Sequence, residues 1–590
     1  MGEPLISIRD LTVALPPGAD RAHAVDGVSL AINPNEILCI VGESGSGKSL
    51  TAHAVMGLLP RGVTASGGQI LFGGTDLLRL PPSGIRKLRG QGIAMIFQDP
   101  MAALNPVVPI GRQITEQIRA HRAISEKDAL DLAAGLLAEM GLKDPRALLK
   151  SFPHQLSGGQ RQRVMIAMAL SLSPKLLIAD EPTTALDVTT QAQILKLIKR
   201  IQTEREMSVL FITHDFGVVA DMADRVAVMR HGRVVEEGTS SEVLGDPKHA
   251  YTRALIAAVP RGESALQPVL QATPLLTVSD LSKGFRRGGF FSGAATVKAV
   301  DKVSLTLHRG ETLGIVGESG SGKSTLARCV IRLLDPDAGE VLFDGADIAH
   351  MSARNLRPLR RRIQMVFQDP FSSLNPRQTV GDIIIAGPRA YGEDMKEART
   401  RAADIMRLVG LNPETMRRFP HEFSGGQRQR VGIARALIVE PQLLICDEPI
   451  SALDVSVQAQ VVKLLAELKQ SLGLAMLFIA HDLSMVRYVS DRMAVMYLGS
   501  LVEVGPADAV YFTPRHPYTR MLVSSNPQPD PLHERARTDV ILSGEIPSPV
   551  NLQPGCRFAG RCPLVEPHCR QQTPVLRTVA DNHQAACHLL

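Results

Sequence analysis

The sequence predicts two α/β domains in tandem, each built on a mainly parallel sheet with a helical insertion. An internal duplication, a set of uninterrupted apolar strands and a glycine-rich loop at a strand-to-helix junction in each copy predict it. The segment Leu156-Ser157-Gly158-Gly159-Gln160-Arg161-Gln162-Arg163-Val164 recurs as Phe423-Ser424-Gly425-Gly426-Gln427-Arg428-Gln429-Arg430-Val431, an offset of 267 residues. The same offset relates Asp180 to Asp447 and His214 to His481. Upstream it widens to 270 between Gln98 and Gln368 and to 275 between Lys48 and Lys323, as small loop insertions allow.

Each element follows from local pattern. Residues 37–41, 176–179 and 209–212 carry no polar side chain to interrupt them, which is how strands covered on both faces of a parallel sheet read. Residues 126–140 read as a helix, with Ser125 as N-cap, Asp128 at the third position and Gly141 just past the end. The first copy ends near Ala258. Residues 259–273 contain Pro260, Gly262 and Pro268 and read as a linker between domain 1–258 and domain 274–525. From about Asn526 proline and cysteine density rises and helical periodicity is lost, so 526–590 is expected to be an appendage.

A chain of 590 residues exceeds what one core organises, and 44% hydrophobic with 21% charged residues excludes a disordered polymer. Net charge is +6 from 65 basic and 59 acidic residues, too balanced for a protein that wraps nucleic acid. The basic run 357–362 reads as a solvated helix face or loop. No run approaches the roughly 18 apolar residues of a membrane-spanning helix, and Glu3, Arg9 and Asp10 break any signal-peptide pattern. The expectation is a cytoplasmic chain; if it serves a membrane process, its membrane partners are other polypeptides.

Gly42-Glu43-Ser44-Gly45-Ser46-Gly47-Lys48-Ser49 and Gly317-Glu318-Ser319-Gly320-Ser321-Gly322-Lys323-Ser324 both fit the phosphate-binding pattern G-x-x-x-x-G-K-[ST]. The glycines let successive backbone N–H groups point inward, and the following helix N-terminus favours an anion. Lys48 and Lys323 are expected on the β- and γ-phosphates, and Ser49 and Ser324 on Mg²⁺, a hard cation that takes oxygen ligands. Asp180 and Asp447, each ending an apolar strand, supply the second anchor for that ion. Glu181 and Glu448, one residue further, stand where a carboxylate accepts a proton from the attacking water.

Ser157-Gly158-Gly159-Gln160 and Ser424-Gly425-Gly426-Gln427 resemble the signature motif of ABC ATPases, and the resemblance covers nearly the whole chain. It implies two P-loop (RecA-like) ABC ATPase domains in tandem, each with a helical insertion, followed by the cysteine-containing appendage. It further implies that each signature contacts the γ-phosphate of ATP held by the other half's loop, giving two composite sites. On matching positions, Gln98 and Gln368 resemble the Q-loop glutamines, Asp187 and Asp454 the D-loop aspartates, and His214 and His481 the switch histidines. An aromatic ring under adenine is usual in the family; Phe285 stands in that stretch of the second half and Leu15 in the first.

The segments Phe97-Gln98-Asp99-Pro100 to Pro106 and Phe367-Gln368-Asp369-Pro370 to Pro376, with His249-Ala250-Tyr251-Thr252-Arg253 and His516-Pro517-Tyr518-Thr519-Arg520, resemble the dipeptide and oligopeptide importer ATPases, here in a fused form. That branch implies hydrolysis of ATP coupled to peptide uptake, two transmembrane permease subunits docking near the loops after Gln98 and Gln368, a periplasmic or extracellular solute-binding protein, and a place on the cytoplasmic face of the bacterial inner membrane. Glutathione, modified peptides, opines and nickel are alternative cargoes. A soluble ABC ATPase acting on ribosomes or nucleic acid is the alternative from another class, disfavoured because 259–273 is short and weakly charged. Cys39, Cys329 and Cys446 read as small core residues. Cys556, Cys562, Cys569 and Cys587 cluster near the end of the chain and offer thiolates to a 4Fe-4S cluster, as in some importer ATPases, or to zinc, or remain free.

Overall fold

The computed structural model describes residues 3–184, 186–258, 273–287, 295–451, 453–537, 547, 550, 552 and 554–590. Apart from Thr273, the expected linker lies outside the described residues. Contacts divide the chain into two compact units, one of residues 1–186, 190–258 and 527–538, the other of 187–189, 259–526 and 539–590.

The first unit holds a six-stranded sheet in the order Arg233–Thr239, Arg225–Arg230, Ile37–Val41, Ser208–Ile212, Leu176–Asp180, Ile93–Ile96. The last five run parallel and only Arg233–Thr239 pairs antiparallel. Strands Ile37–Val41, Leu176–Asp180 and Ser208–Ile212 are buried along their whole length, which is why their sequences show no alternation. Against this sheet lies a four-stranded antiparallel one, His23–Ile32, Ile6–Ala14, Thr64–Phe72, Thr75–Asp76. The mainly parallel pattern did not announce this second layer; its long strands alternate buried and exposed positions, as a half-solvated sheet does. Helices Ile110–His121, Glu126–Glu139 and Gly158–Leu170 form the insertion. Ser125 accepts from the Asp128 N–H at 3.1 Å, and Gly141 leaves the helix at φ 73°. The short helix Pro531–Ala536, from the C-terminal part of the chain, packs in this unit on Phe216–Met222 and Ser240–Gly245.

The second unit repeats the design with a four-stranded antiparallel sheet and a larger main sheet of eight strands. Six of them, Ile363–Val366, Leu443–Asp447, Ala475–Ile479, Thr312–Val316, Arg492–Tyr497 and Ser500–Pro506, correspond to the first unit's sheet. The other two come from the expected appendage: His583–Ala585 pairs with the edge strand through Glu503↔Ala585 and Val504↔Gln584, and Arg577–Ala580 pairs in turn with His583–Ala585. An edge strand carries unpaired N–H and C=O groups, and the tail covers them. The basic run 357–362 lies on helix Ala353–Arg362, where Arg361 pairs with Glu393 at 3.0 Å and Arg362 with Asp344. Cys39, Cys329 and Cys446 are fully buried. No helix among the described residues is long and apolar enough to cross a membrane.

Candidate functional site

In each unit the expected residues converge at the carboxyl ends of the parallel strands, where open α/β sheets bind ligands. The loop 42–49 leaves strand Ile37–Val41 and opens helix Lys48–Met56. It passes so close to the neighbouring strand that a Cβ on Gly42 would stand 2.2 Å from the Met229 carbonyl oxygen, and Gly42 takes φ 151°. Only glycine fits there. Lys48 Nζ donates to the Gly42 and Glu43 carbonyls at 2.7 and 2.9 Å, which folds the ammonium into the loop that must receive phosphate oxygens.

The acidic pair lies beside it. Ser49 Oγ donates to Asp180 Oδ1 at 3.0 Å, and Ser324 Oγ to Asp447 Oδ1 at 2.7 Å. Burial raises the pKa of both aspartates, partly offset by those serine hydrogen bonds. Asp447 Oδ2 is buried and has no hydrogen-bond partner among the described residues, 3.9 Å from the Arg328 guanidinium. Oxygen donors that resist bearing a charge alone, one of them unsatisfied, suit a divalent hard cation.

Glu181 sits at φ 46° just past its strand, a left-handed turn that swings the carboxylate across the strand ends. It accepts from Gln98 Nε2 at 2.9 Å and Thr184 Oγ1 at 3.0 Å, and lies 3.2 Å from His214 Nδ1. Burial works against its charge, but the hydrogen bond and charge of His214 and the Thr184 hydroxyl outweigh it, so its pKa falls to about 2. His214 moves the other way: burial lowers its pKa and Glu181 more than restores it, leaving it raised. In the second unit Glu448 takes the same φ of 46°, accepts from Gln368 Nε2 at 2.7 Å, and stands 3.9 Å from His481 Nδ1. Its pKa is lowered and that of His481 raised by the same opposition of burial and pairing. Burial lowers the Lys323 pKa against the pull of Glu448 and other carboxylates.

Ser157 and Ser424 lie elsewhere in their units, each as N-cap of the helix that follows, Gly158–Leu170 and Gly425–Leu437. Each forms a reciprocal box with the glutamine three residues on, Ser157 with Gln160 at 3.2 and 3.1 Å, Ser424 with Gln427 at 3.4 and 3.0 Å. Both serines are exposed, each at a helix N-terminus that favours an anion. Asp454 caps helix Val455–Leu472, and Asp187 is buried and accepts from Thr189 Oγ1 at 2.8 Å. Phe285 is 41% exposed, free to stack on a ring, and Leu15 is half-buried.

Sequence reasoning noted Tyr251 and Tyr518 as family markers without a role, and the structure gives them one. Tyr518 Oη accepts the Glu318 N–H of the second phosphate loop at 2.9 Å; Tyr251 Oη accepts the Glu43 N–H and donates to its carboxylate, both at 3.2 Å. The signal was there in the repeated spacing of His249-x-Tyr251 and His516-x-Tyr518, whose histidines accept the tyrosine N–H at 3.1 and 3.0 Å.

The four C-terminal cysteines line one small cavity with Phe558, Leu564, Val565 and Pro517. Burial raises the pKa of Cys556 and Cys562. No three His, Cys, Asp or Glu residues among the described ones are placed to hold a single metal ion.

A family model described as "ABC transporter" matches residues 25–184 and 300–451. The chain belongs to that family. A second model, "Oligopeptide/dipeptide transporter, C-terminal region", matches 235–286 and 502–569, after each copy of the first, so this member is the fused form of the oligopeptide branch. It is 48% identical over 581 residues to a glutathione import ATP-binding protein of Salmonella typhimurium, covering 93% of both chains. It is 49% identical to a peptidoglycan transport ATP-binding protein of Agrobacterium fabrum, covering 89% of this chain and 96% of that one. With the glutathione import ATP-binding protein of Escherichia coli K12 it shares 46%, again over 93% of each. As a member of the family it is an ATP-binding ATPase of a transport system.

Proposed function

We propose that this chain couples ATP hydrolysis at two composite sites to the uptake of peptides through separate permease subunits. One observation carries the reading: the full set of lysine, serine, aspartate, glutamate, glutamine and histidine recurs with matching geometry in both units of a chain whose relatives are named for import.

In the proposed cycle Lys48 and Lys323 leave the loop carbonyls for the β- and γ-phosphate oxygens. Ser49 with Asp180, and Ser324 with Asp447, would hold Mg²⁺, which when bound would offset phosphate charge. Gln98 and Gln368 orient the attacking water. Glu181 and Glu448 take its proton as the water oxygen bonds to phosphorus, giving ADP and phosphate. His214 and His481 fix those carboxylates. Ser157 to Gln160 with Asp187, and Ser424 to Gln427 with Asp454, serve the γ-phosphate, the serines through the helix N-termini they cap. Phe285 stacks on adenine in the second site.

Met101 and Val107, 43% and 78% exposed just after Gln98, support the docking of permease helices there. A solute-binding protein completes the complex, at the cytoplasmic face of the inner membrane for this chain. The convergence of Cys556, Cys562, Cys569 and Cys587 on one apolar-walled cavity supports a 4Fe-4S cluster held by four thiolates; iron and sulfide analysis of anaerobically purified protein tests it.

The deciding experiment is uptake of labelled dipeptides, oligopeptides, glutathione and nickel by the host with and without the gene. Loss of peptide uptake, restored by the native chain and not by Lys48→Ala with Lys323→Ala, is the expected result. Loss of glutathione or nickel uptake alone replaces the cargo, and unchanged uptake across the panel removes the importer reading.

A further inference from the structure

The second phosphate loop is held from behind by the cysteine-bearing tail. Arg561 and Glu318 form a two-pronged pair, Nη1 to Oε2 at 2.8 Å and Nη2 to Oε1 at 2.9 Å, with both side chains 2% exposed. Glu318 is the second residue of the loop, its carbonyl accepts from Lys323 Nζ at 3.0 Å, and its N–H donates to Tyr518. Arg561 belongs to Cys556-Arg557-Phe558-Ala559-Gly560-Arg561-Cys562, a compact turn in which Ala559 N–H donates to the Cys556 carbonyl and Cys562 N–H to that of Phe558, both at 3.0 Å. The same turn packs Phe558, 1% exposed, against both Tyr497 and Tyr518, with ring centroids 5.5 Å from each. It sends Arg557 to the Leu498 carbonyl and Asp301.

A buried carboxylate in a phosphate loop is an odd choice for a surface that must receive anions. A planar guanidinium locked on both its oxygens cancels that charge and fixes the loop's direction at once. Burial opposes the Arg561 charge, yet its hydrogen bonds to Glu318 outweigh this and raise its pKa. The first half has no sequence counterpart of this turn: Cys39 is the only cysteine before Cys329.

We propose that Arg561 is a positioning residue for the second phosphate loop, through which the C-terminal cysteine-lined fold supports nucleotide binding at the second site and not at the first. The inference rests on reading both loops as ATP sites. Its reach is asymmetric: the same chain carries one loop that depends on its tail and one that does not.

The test is titration of the full chain with trinitrophenyl-ATP in two backgrounds, Lys48→Ala to report the second loop and Lys323→Ala to report the first. Arg561→Met is expected to weaken binding roughly tenfold or more in the Lys48→Ala background, since small misplacements of a binding loop are costly, and to leave the Lys323→Ala background unchanged. Arg561→Lys keeps the charge but not the fork and is expected to fall between. Because Arg561→Met leaves a buried carboxylate without its cation, Glu318→Gln with and without Arg561→Met removes that charge, with thermal melting as the check on folding. There Arg561→Met is expected to add nothing; a further tenfold loss overturns action through Glu318. Equal weakening at both loops, or none at the second, overturns the inference while leaving the nucleotide reading in place. No binding to either loop of the unsubstituted chain overturns both.

Discussion

Behind the first phosphate loop, the Glu43 carboxylate meets the Tyr251 hydroxyl, and the exposed Arg230 guanidinium lies 4.7 Å above the Tyr251 ring. Behind the second, Tyr497 stands where Arg230 does, its ring 4.5 Å from that of Tyr518, and the Glu318 carboxylate is closed off from water by Arg561. The loops themselves share every phosphate-facing residue. What differs is the support: the turn 556–562 reaches the second loop through Arg561. Shared chemistry at the nucleotide therefore does not mean shared mechanics beneath it.

The largest effect expected is the one that treats the two sites alike. Replacing Glu181 and Glu448 by Gln together lowers ATPase turnover by roughly 10²–10⁴-fold, the span of general-base catalysis, while trinitrophenyl-ATP still binds. Retained turnover removes both residues as bases, and unequal single substitutions sharpen the asymmetry between the halves.

Next comes the support itself. Arg561→Met leaves the buried Glu318 carboxylate without its cation and with only the Thr189 hydroxyl on Oε1, which costs about 3–5 kcal/mol, measured as a lower urea midpoint. Arg230→Met removes only an exposed cation over a ring and costs about 0.5–1 kcal/mol. Equal losses from the two would erase the contrast. Tyr518→Phe strips the acceptor from the buried Glu318 N–H, an expected loss of about 1–3 kcal/mol. Tyr251→Phe, at a less buried Glu43, loses less in the same denaturation series.

The smallest effect concerns pH. His214 has its pKa raised above 6.5 in the folded chain, so its pairing with Glu181 contributes fully below 6.5 and fades as pH rises through the folded value. The melting temperature measured without nucleotide should therefore drift down above pH 6.5, and His214→Gln should flatten the drift. His481 stands 3.9 Å from Glu448 against 3.2 Å for His214 and Glu181, so His481→Gln should flatten it less. The reverse order would show that the second pair is the tighter one in solution.

The sequence by itself determined the duplication, the parallel strands, both phosphate loops and the acidic, glutamine and histidine residues around them. These were legible because they are local: an apolar run of five residues, a glycine spacing and a strand-terminal acid state their geometry within a few positions of chain. The helix after Ser125 was legible for the same reason, since a cap, an acidic first turn and a glycine past the end all lie within one element. What only the tertiary structure decided was long-range. The antiparallel sheets pair strands whose partners are set by folding rather than spacing. The tail's strands could not be read as part of the second sheet, because short polar segments such as Arg577–Ala580 gain their pairing from the edge they meet. Arg561 and Glu318 are 243 residues apart, so no pattern in the chain couples them. Burial made them a pair: two charges that are unremarkable in sequence become mutually necessary once the fold removes water from both.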